Sequence, residues 1–243
     1  MITLFCAREE HLDDPPAIVV MAKRTLVGHV KTRLTRALSP QAAAAVHAAM
    51  LRCVLHRMGE IEYKVQQTHI LSLDGDWDSK GEVRGALGVE MPSKWTLVPQ
   101  GEGDLGDRIC RVWRALGGGP AVFLGVDSPD VPRTLLEQVH PALKAAPVII
   151  GPADDGGYWM IGGRRLVPEL FRGIDWGTPS VYHQTLAAAS EAGLGVRALP
   201  VWHDVDEPED LQALRQRLVR SSEPILIRLR EDLDQIWGES GHP

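Results

Sequence analysis

The chain has 243 residues, 44% of them hydrophobic and 24% charged, with a formal net charge of −6. That length suits one large domain with a substantial core, and the acidic balance argues against nucleic acid as the main partner, since a phosphate backbone is bound by basic excess. No apolar run approaches membrane-spanning length, and three scattered cysteines, Cys6, Cys53 and Cys110, fit reduced thiols in a cytoplasm.

Residues 1–16 read as a leader outside the main fold. The segment lacks the basic start of a signal peptide, turns acidic at Glu9, Glu10, Asp13 and Asp14, and is closed off by Pro15 and Pro16. Ala17–Ala22 is a first buried strand. After it, Lys23–Arg33 is a loop carrying Lys23, Arg24, Lys31 and Arg33 with Gly28 in its middle. It is no P-loop, because Thr25 and Val30 stand where glycines are required, and no G-x-G-x-x-G follows the strand. What remains is Gly28 for a tight turn, with Lys23, Lys31 and Arg33 available to phosphate. An arginine grips phosphate bidentately and a lysine acts as a point charge. The plainer alternative is a solvated run of charge.

A helix follows over 41–58, capped by Ser39 and Pro40 and ended by Gly59, with Val46, Met50 and Val54 inward. His69–Leu73 is a second strand, residues 74–94 are a loop-rich stretch, and Trp95–Val98 is a third strand. Gly101–Arg108 places glycines around a helix start, where Gly103, Asp104 and Arg108 could receive an anion, or where Asp104 simply caps. The helix itself turns Leu105, Ile109, Val112, Trp113 and Leu116 inward.

Ala121–Val126 is the central strand, and a helix from Pro132 turns Leu135, Val139 and Leu143 inward. Val148–Gly151 is a strand that ends at Pro152–Ile161. A helix from Thr178-Pro179 stops before Gly193, and Val196–Leu199 is a last short strand. The segment from His203 enters a helix carrying Leu211, Leu214 and Leu218, with Asp206 and Glu209 at capping-box spacing. Residues 221–243 form one more amphipathic helix (Ile225, Leu229, Leu233, Ile236), folded back on the chain through the turn Ser221–Pro224. Strands alternating with helices imply βαβ units and a mostly parallel sheet with helices on both faces.

In such sheets ligands sit outside the carboxyl ends of strands. Asp127, at the end of the central strand, is placed to hold a hard cation for a phosphate-bearing substrate, or to cap the next helix with Ser128. Asp154, Asp155, Gly156 and Gly157 join two carboxylates to two glycines, which permits close backbone approach by a ligand or makes an ordinary turn. The tryptophans Trp159, Trp176 and Trp202 read as core, and His183 and His203 as bystanders.

In this order, Met21–Lys23 with Gly28–Leu34, Gly103–Arg108, Gly125–Asp130, Gly151–Trp159 and Asp204–Leu211 resemble a bacterial family of GT-A-type, glycosyltransferase-like proteins, the radical-SAM/selenodomain-associated transferases. That family is a cousin of the molybdenum-cofactor and 2-phospholactate guanylyltransferases. The resemblance covers about residues 17–218, and departs from the family at Thr25, where proline is usual. It implies a nucleotide-diphospho-sugar transferase-like α/β fold, with residues 1–16 and 219–243 outside the matched domain.

It also implies a metal-dependent transferase with a nucleotide-activated donor, a nucleotide-sugar first of all. Mg²⁺ or Mn²⁺ is then held by Asp127 and Asp206, supported by Asp130 and Asp204. Lys23, Lys31 and Arg33 neutralise phosphate, and Asp154 or Asp155 orients or deprotonates the acceptor. Ser128, Gly156, Gly157, Tyr158 and Trp159 line the substrate. Two alternatives stand beside this: nucleotidyl transfer from a nucleoside triphosphate to a phosphorylated acceptor, and a non-catalytic nucleotide-binding protein. The chain is expected to be a cytoplasmic monomer or homodimer.

Overall fold

Seven strands form one sheet in the order β3-β2-β1-β4-β6-β5-β7 in the computed structural model, which describes residues 15–61, 67–75 and 87–240. The strands are β1 (Ala17–Ala22), β2 (His69–Leu73), β3 (Trp95–Pro99), β4 (Ala121–Leu124), β5 (Val148–Pro152), β6 (Tyr158–Gly163) and β7 (Val196–Ala198). Pairing is parallel between β1 and β2, β2 and β3, β1 and β4, and β5 and β7. Only β6 runs against its neighbours, β4 and β5. The expected leader falls on residues outside the described ones, apart from Pro15 and Pro16, and so does much of the 74–94 stretch.

The β6 strand is absent from the sequence reading, which took Pro152–Ile161 as the tail of β5. Its two terminal glycines and the polar turn before it hide the strand, but the glycines have a structural reason. A Cβ on Gly162 would stand 2.5 Å from Val122 Cγ1 on β4, closer than packed carbons allow.

Helices α1 (Pro40–Gly59), α2 (Leu105–Ala115), α3 (Arg133–Leu136), α4 (Val139–Ala145), α5 (Val181–Glu191), α6 (Pro208–Leu218) and α7 (Pro224–Glu239) cover the sheet. Ser39 caps α1, its hydroxyl accepting from the Ala42 amide at 3.1 Å. The single helix expected after Pro132 is broken into α3 and α4. Pro141 has no N–H to give the Glu137 carbonyl four residues earlier, so an unbroken helix would lose that bond. On α2, Leu105 faces outward at 39% exposure, while Ile109, Val112 and Trp113 are buried as expected.

Alternation along β1 divides the core into two layers. Ile18, Val20 and Ala22 pack with α1, α6 and α7, whereas Val19 packs with Ile109, Val112 and Trp113 of α2. The C-terminal helix lies on α1, tied by Arg52–Asp232 at 2.5 Å and Arg57–Glu223 at 2.9 Å. Its buried stripe is Leu226, Leu229, Leu233 and Trp237, with Ile225 and Ile236 only half-buried. No helix among the described residues is long and apolar enough to cross a membrane.

Candidate functional site

Strands β1 and β4 are neighbours, yet the chain leaves β1 toward β2 and β3 and leaves β4 toward the other edge. This divergence opens a crevice at the carboxyl ends, the usual place for a ligand in open α/β sheets. Two expected motifs, the basic loop after β1 and the Asp127 turn after β4, meet there.

The loop is shaped by its backbone and by two buried anchors. Gly28 has φ 80°, a left-handed conformation that glycine adopts without steric cost. Lys31 is left-handed as well, at φ 47°, and alone among the described non-glycine residues, a conformation that costs free energy and recurs at functional sites. Val30 and Leu34 are buried on either side. A 3₁₀ turn, Thr32–Arg36, follows. The Thr25 hydroxyl donates to the Leu87 carbonyl at 2.7 Å and so ties down the start of the loop.

Lys31 turns its ammonium inward, where it donates to Asp127 Oδ1 and to the Val205 carbonyl. Its side chain is only 4% exposed, against 53% for Asp127. Arg33 donates to Asp206 at 2.5 Å and Arg36 to Glu207 at 2.7 Å. The Val205 amide donates back to the Asp127 carbonyl at 2.9 Å. Basic side chains of one loop thus grip carboxylates from two others, about a hundred or more residues away in sequence.

Desolvation works against the Asp127 carboxylate, but the charge and hydrogen bond of Lys31, helped by Lys23, outweigh it and hold the group below its ordinary pKa. His47, buried on α1, has Nε2 3.0 Å from the Lys23 carbonyl. Desolvation keeps its pKa low against that bond, so the neutral ring donates to Lys23 and props the loop. Nothing in the sequence marked His47, one residue within an alanine-rich helix.

Asp204 and Asp206 are separated by buried Val205 and diverge. Asp206 joins the basic loop, whereas Asp204 joins Asp154. Burial first, then its hydrogen bond to Asp154 and the nearby charges of Asp155 and Asp154, raises Asp204 to about 7. Desolvation pushes Asp154 up as well, but hydrogen bonds from His203 and Asp204 bring it below its ordinary value. His203 Nδ1 lies 2.6 Å from Asp154 Oδ2. His203 is therefore no bystander, and Asp204 stands in this carboxylate–imidazole cluster.

Other expected site residues have partners of their own. Asp130 is buried and accepts from Arg217 at 2.7 and 3.3 Å and from the Trp202 indole at 3.1 Å. With these residues and Arg57 it lines a hollow of about 570 Å³ whose lining includes none of Lys31, Asp127 or Asp206. That engagement gives Asp130 a structural role, holding Arg217 and Trp202. Trp159 is buried, its indole donating to the Pro200 carbonyl at 3.3 Å, and its ring fills the place a Gly151 side chain would take. Tyr158 projects to the opposite face and meets Trp176 edge-on at 6.4 Å. Trp159 is thus enclosed in the core, while Tyr158 is half-buried.

Gly103 and Asp104 shape a turn: Asp104 caps α2 through the Asp107 amide at 2.8 Å, and Gly103 has φ 100°. Arg108 donates to the Gly103 carbonyl and to Gln100 Oε1. The buried Gln100 amide donates in turn to the Ala22 and Ser72 carbonyls at the ends of β1 and β2. These residues hold the crevice wall, and Gln100 was not anticipated. Gly156, at φ 88°, leaves room for Pro179, while Asp155 accepts from the Gly157 amide at 2.7 Å. Ser128 is half-buried beside Asp127. The capping box of α6 joins Glu207 and Asp210, one residue later than expected.

Among the described residues no three His, Cys, Asp or Glu side chains converge to hold a metal. The donor set at Asp127 and Asp206 nevertheless suits a magnesium-like ion, which takes one or two carboxylates and fills its shell with water and phosphate oxygens. The Lys31 ammonium, between a carboxylate and a carbonyl oxygen, already shows a cation held by hard oxygen donors.

Comparison with known proteins agrees with this architecture. A crystal structure of a candidate nucleotide-diphospho-sugar transferase from Desulfovibrio desulfuricans G20 is 29% identical, with 93% of this chain and 97% of that one covered and a TM-score of 0.78. Two more distant structures share the fold alone. A CMP:2-keto-3-deoxy-manno-octonic acid synthetase complexed with CTP is 13% identical, over 85% and 99% of the two chains, with a TM-score of 0.53. A cytidylyltransferase from Leptospira borgpetersenii is 14% identical, over 90% and 93%, with a TM-score of 0.51. No curated protein matches the chain in sequence. Residues 56–178, just over half the chain, match the family model "Uncharacterized protein conserved in bacteria (DUF2064)", and the chain belongs to that family.

Proposed function

We propose that the chain is a metal-dependent transferase that uses a nucleotide-activated donor, foremost a nucleotide-sugar. The observation that carries this reading is the meeting of Lys31 and Arg33 with Asp127 and Asp206 where β1 and β4 diverge. Phosphate needs the first pair and a hard cation needs the second. The likeness to the Desulfovibrio structure supports the nucleotide-sugar within the wider class, as do the motifs shared with the radical-SAM/selenodomain-associated transferases.

In this reading Asp127 and Asp206 hold Mg²⁺ or Mn²⁺, which when bound neutralises charge on the leaving diphosphate. Lys31 and Arg33, with Lys23 at the loop's start, bind the phosphate oxygens. Asp154 orients the acceptor hydroxyl or takes its proton, with His203 fixing one of its oxygens and Asp204 donating to it. Asp155 and the Gly156-Gly157 backbone frame the acceptor's entry.

A thermal-shift screen of nucleotides and nucleotide-sugars, with and without Mn²⁺, tests the reading. A ligand that binds the folded state raises the melting temperature by mass action. Asp127→Asn should abolish the metal-dependent part of that shift, and because it takes the counter-charge from buried Lys31 it should also lower the ligand-free melting temperature without unfolding the protein. Unfolding without a specific loss of binding would make Asp127 structural. Release of nucleoside diphosphate supports glycosyl transfer, and release of pyrophosphate replaces it with nucleotidyl transfer.

A further inference from the structure

The phosphate-binding charges and the metal-binding carboxylates proposed above are not waiting apart; they are paired with one another. Lys31 is almost fully withdrawn from solvent, at 4% exposure, with its ammonium on Asp127 and the Val205 carbonyl. Arg33 sits on Asp206. Two cationic side chains thus balance two carboxylates: the cations occupy the oxygens a metal would need, and the carboxylates occupy the N–H donors a phosphate would need.

A divalent ion arriving alone meets two positive charges already on its ligands. A diphosphate arriving alone must draw those charges away and leave two bare carboxylates facing its own negative oxygens. Only when both arrive is every charge matched: metal on carboxylates, Lys31 and Arg33 on phosphate. The backbone suits such an exchange, since Val30 and Leu34 are buried anchors and the strained Lys31 lies between them, so side-chain rotation alone can move the charge.

Resting on the metal-dependent reading above, we propose that Lys31 and Arg33 are internal counter-ions that keep a divalent cation off Asp127 and Asp206 until the donor's phosphates draw them away. Metal and nucleotide therefore bind with positive coupling. Their coupling must be reciprocal, each strengthening the other by the same factor.

The test is Mn²⁺ binding to the full chain without nucleotide, read from the electron paramagnetic resonance of the free aqua ion. The wild type is compared with Lys31→Met, Arg33→Gln and the charge-keeping Lys31→Arg. Lys31→Met and Arg33→Gln should each bind Mn²⁺ about tenfold more tightly than wild type, and Lys31→Arg should stay weak. Adding UDP, CDP or GDP in turn should tighten Mn²⁺ on the wild type and do so less on Lys31→Met. If melting shows that Lys31→Met does not fold, Arg33→Gln decides, because its side chain is 58% exposed. Variants that bind Mn²⁺ no tighter than wild type, while a nucleoside diphosphate still draws Mn²⁺ to the wild type, would overturn this inference and leave the metal-dependent reading intact. No Mn²⁺ on any form, with or without nucleotide, would sink both.

Discussion

Asp127 and Asp130 are separated by one serine and one proline, yet their carboxylates end in different chemical situations. The first stands open in the crevice against Lys31; the second is buried under Arg217 and Trp202. Sequence placed both at a strand end and could not separate them, because their partners lie 96 residues before and 87 after. The same holds for His203 and Asp154, 49 residues apart. What was legible at this scale was residue type: carboxylates and basic side chains at strand ends. Which pairs with which is written in long-range geometry. Asp204 allows a check on that geometry. Its folded pKa is about 7, above an ordinary carboxyl, so the folded chain keeps a proton that the unfolded chain releases near pH 4. The stability this supplies is complete below the unfolded value and is lost as pH rises through about 7. In metal-free buffer Asp204→Asn should therefore gain on wild type in melting temperature between pH 5 and pH 8. Parallel curves would mean that Asp204 does not hold a proton against Asp154.

At the scale of elements, periodicity and caps carried far. Ser39-Pro40 announced α1, and the apolar runs announced most strands. The failures have local causes. The run Asp206–Asp210 offers an acidic residue at nearly every position, so spacing alone fits several capping registers. Pro208 breaks the tie: proline belongs at the first helical position, which makes Glu207 the cap, as the structure shows. On α7 the apolar residues cover more than one stripe, Ile225 beside Leu226 and Ile236 beside Trp237, and the contact with α1 chooses the second of each. Leu226 is 5% exposed and Ile225 half-buried. Leu226→Ala should accordingly cost about 2–4 kcal/mol by denaturant unfolding, and Ile225→Ala about 1 kcal/mol or less. Equal costs would mean the helix is rotated from the position described.

For the molecule as a whole, α7 is too well buried to be an appendage. Leu226, Leu229, Leu233 and Trp237 lie in the same core layer as α1 and the central strands. Burying four such side chains contributes roughly 6–12 kcal/mol at about 1.5–3 kcal/mol each, comparable with the whole stability of an ordinary domain, about 5–15 kcal/mol. Removing residues 221–243 should leave a chain that melts far lower or fails to fold, without a stage at which a well-folded monomer is released from a dimer. Light scattering and melting of the truncated chain check this together. A stable, monomeric truncation from a dimeric parent would assign α7 to a subunit contact.

The reversed strand β6 has a consequence for how the chain is born. A ribosome delivers β1 to β4 first, leaving β4 as the open border of a half-made sheet. Its proper neighbour, Tyr158–Gly163, emerges about forty residues later, roughly 2–8 s at common rates of synthesis. During that interval Ala121–Leu124, apolar and buried in the finished protein, offers bare amides and carbonyls to any passing strand, including the same strand on a neighbouring nascent chain. Gly162 is fitted to end that exposure, since only a residue without a side chain can slide against Val122. A bulkier residue there would do its harm before the protein is finished, by lengthening the time in which β4 has no mate.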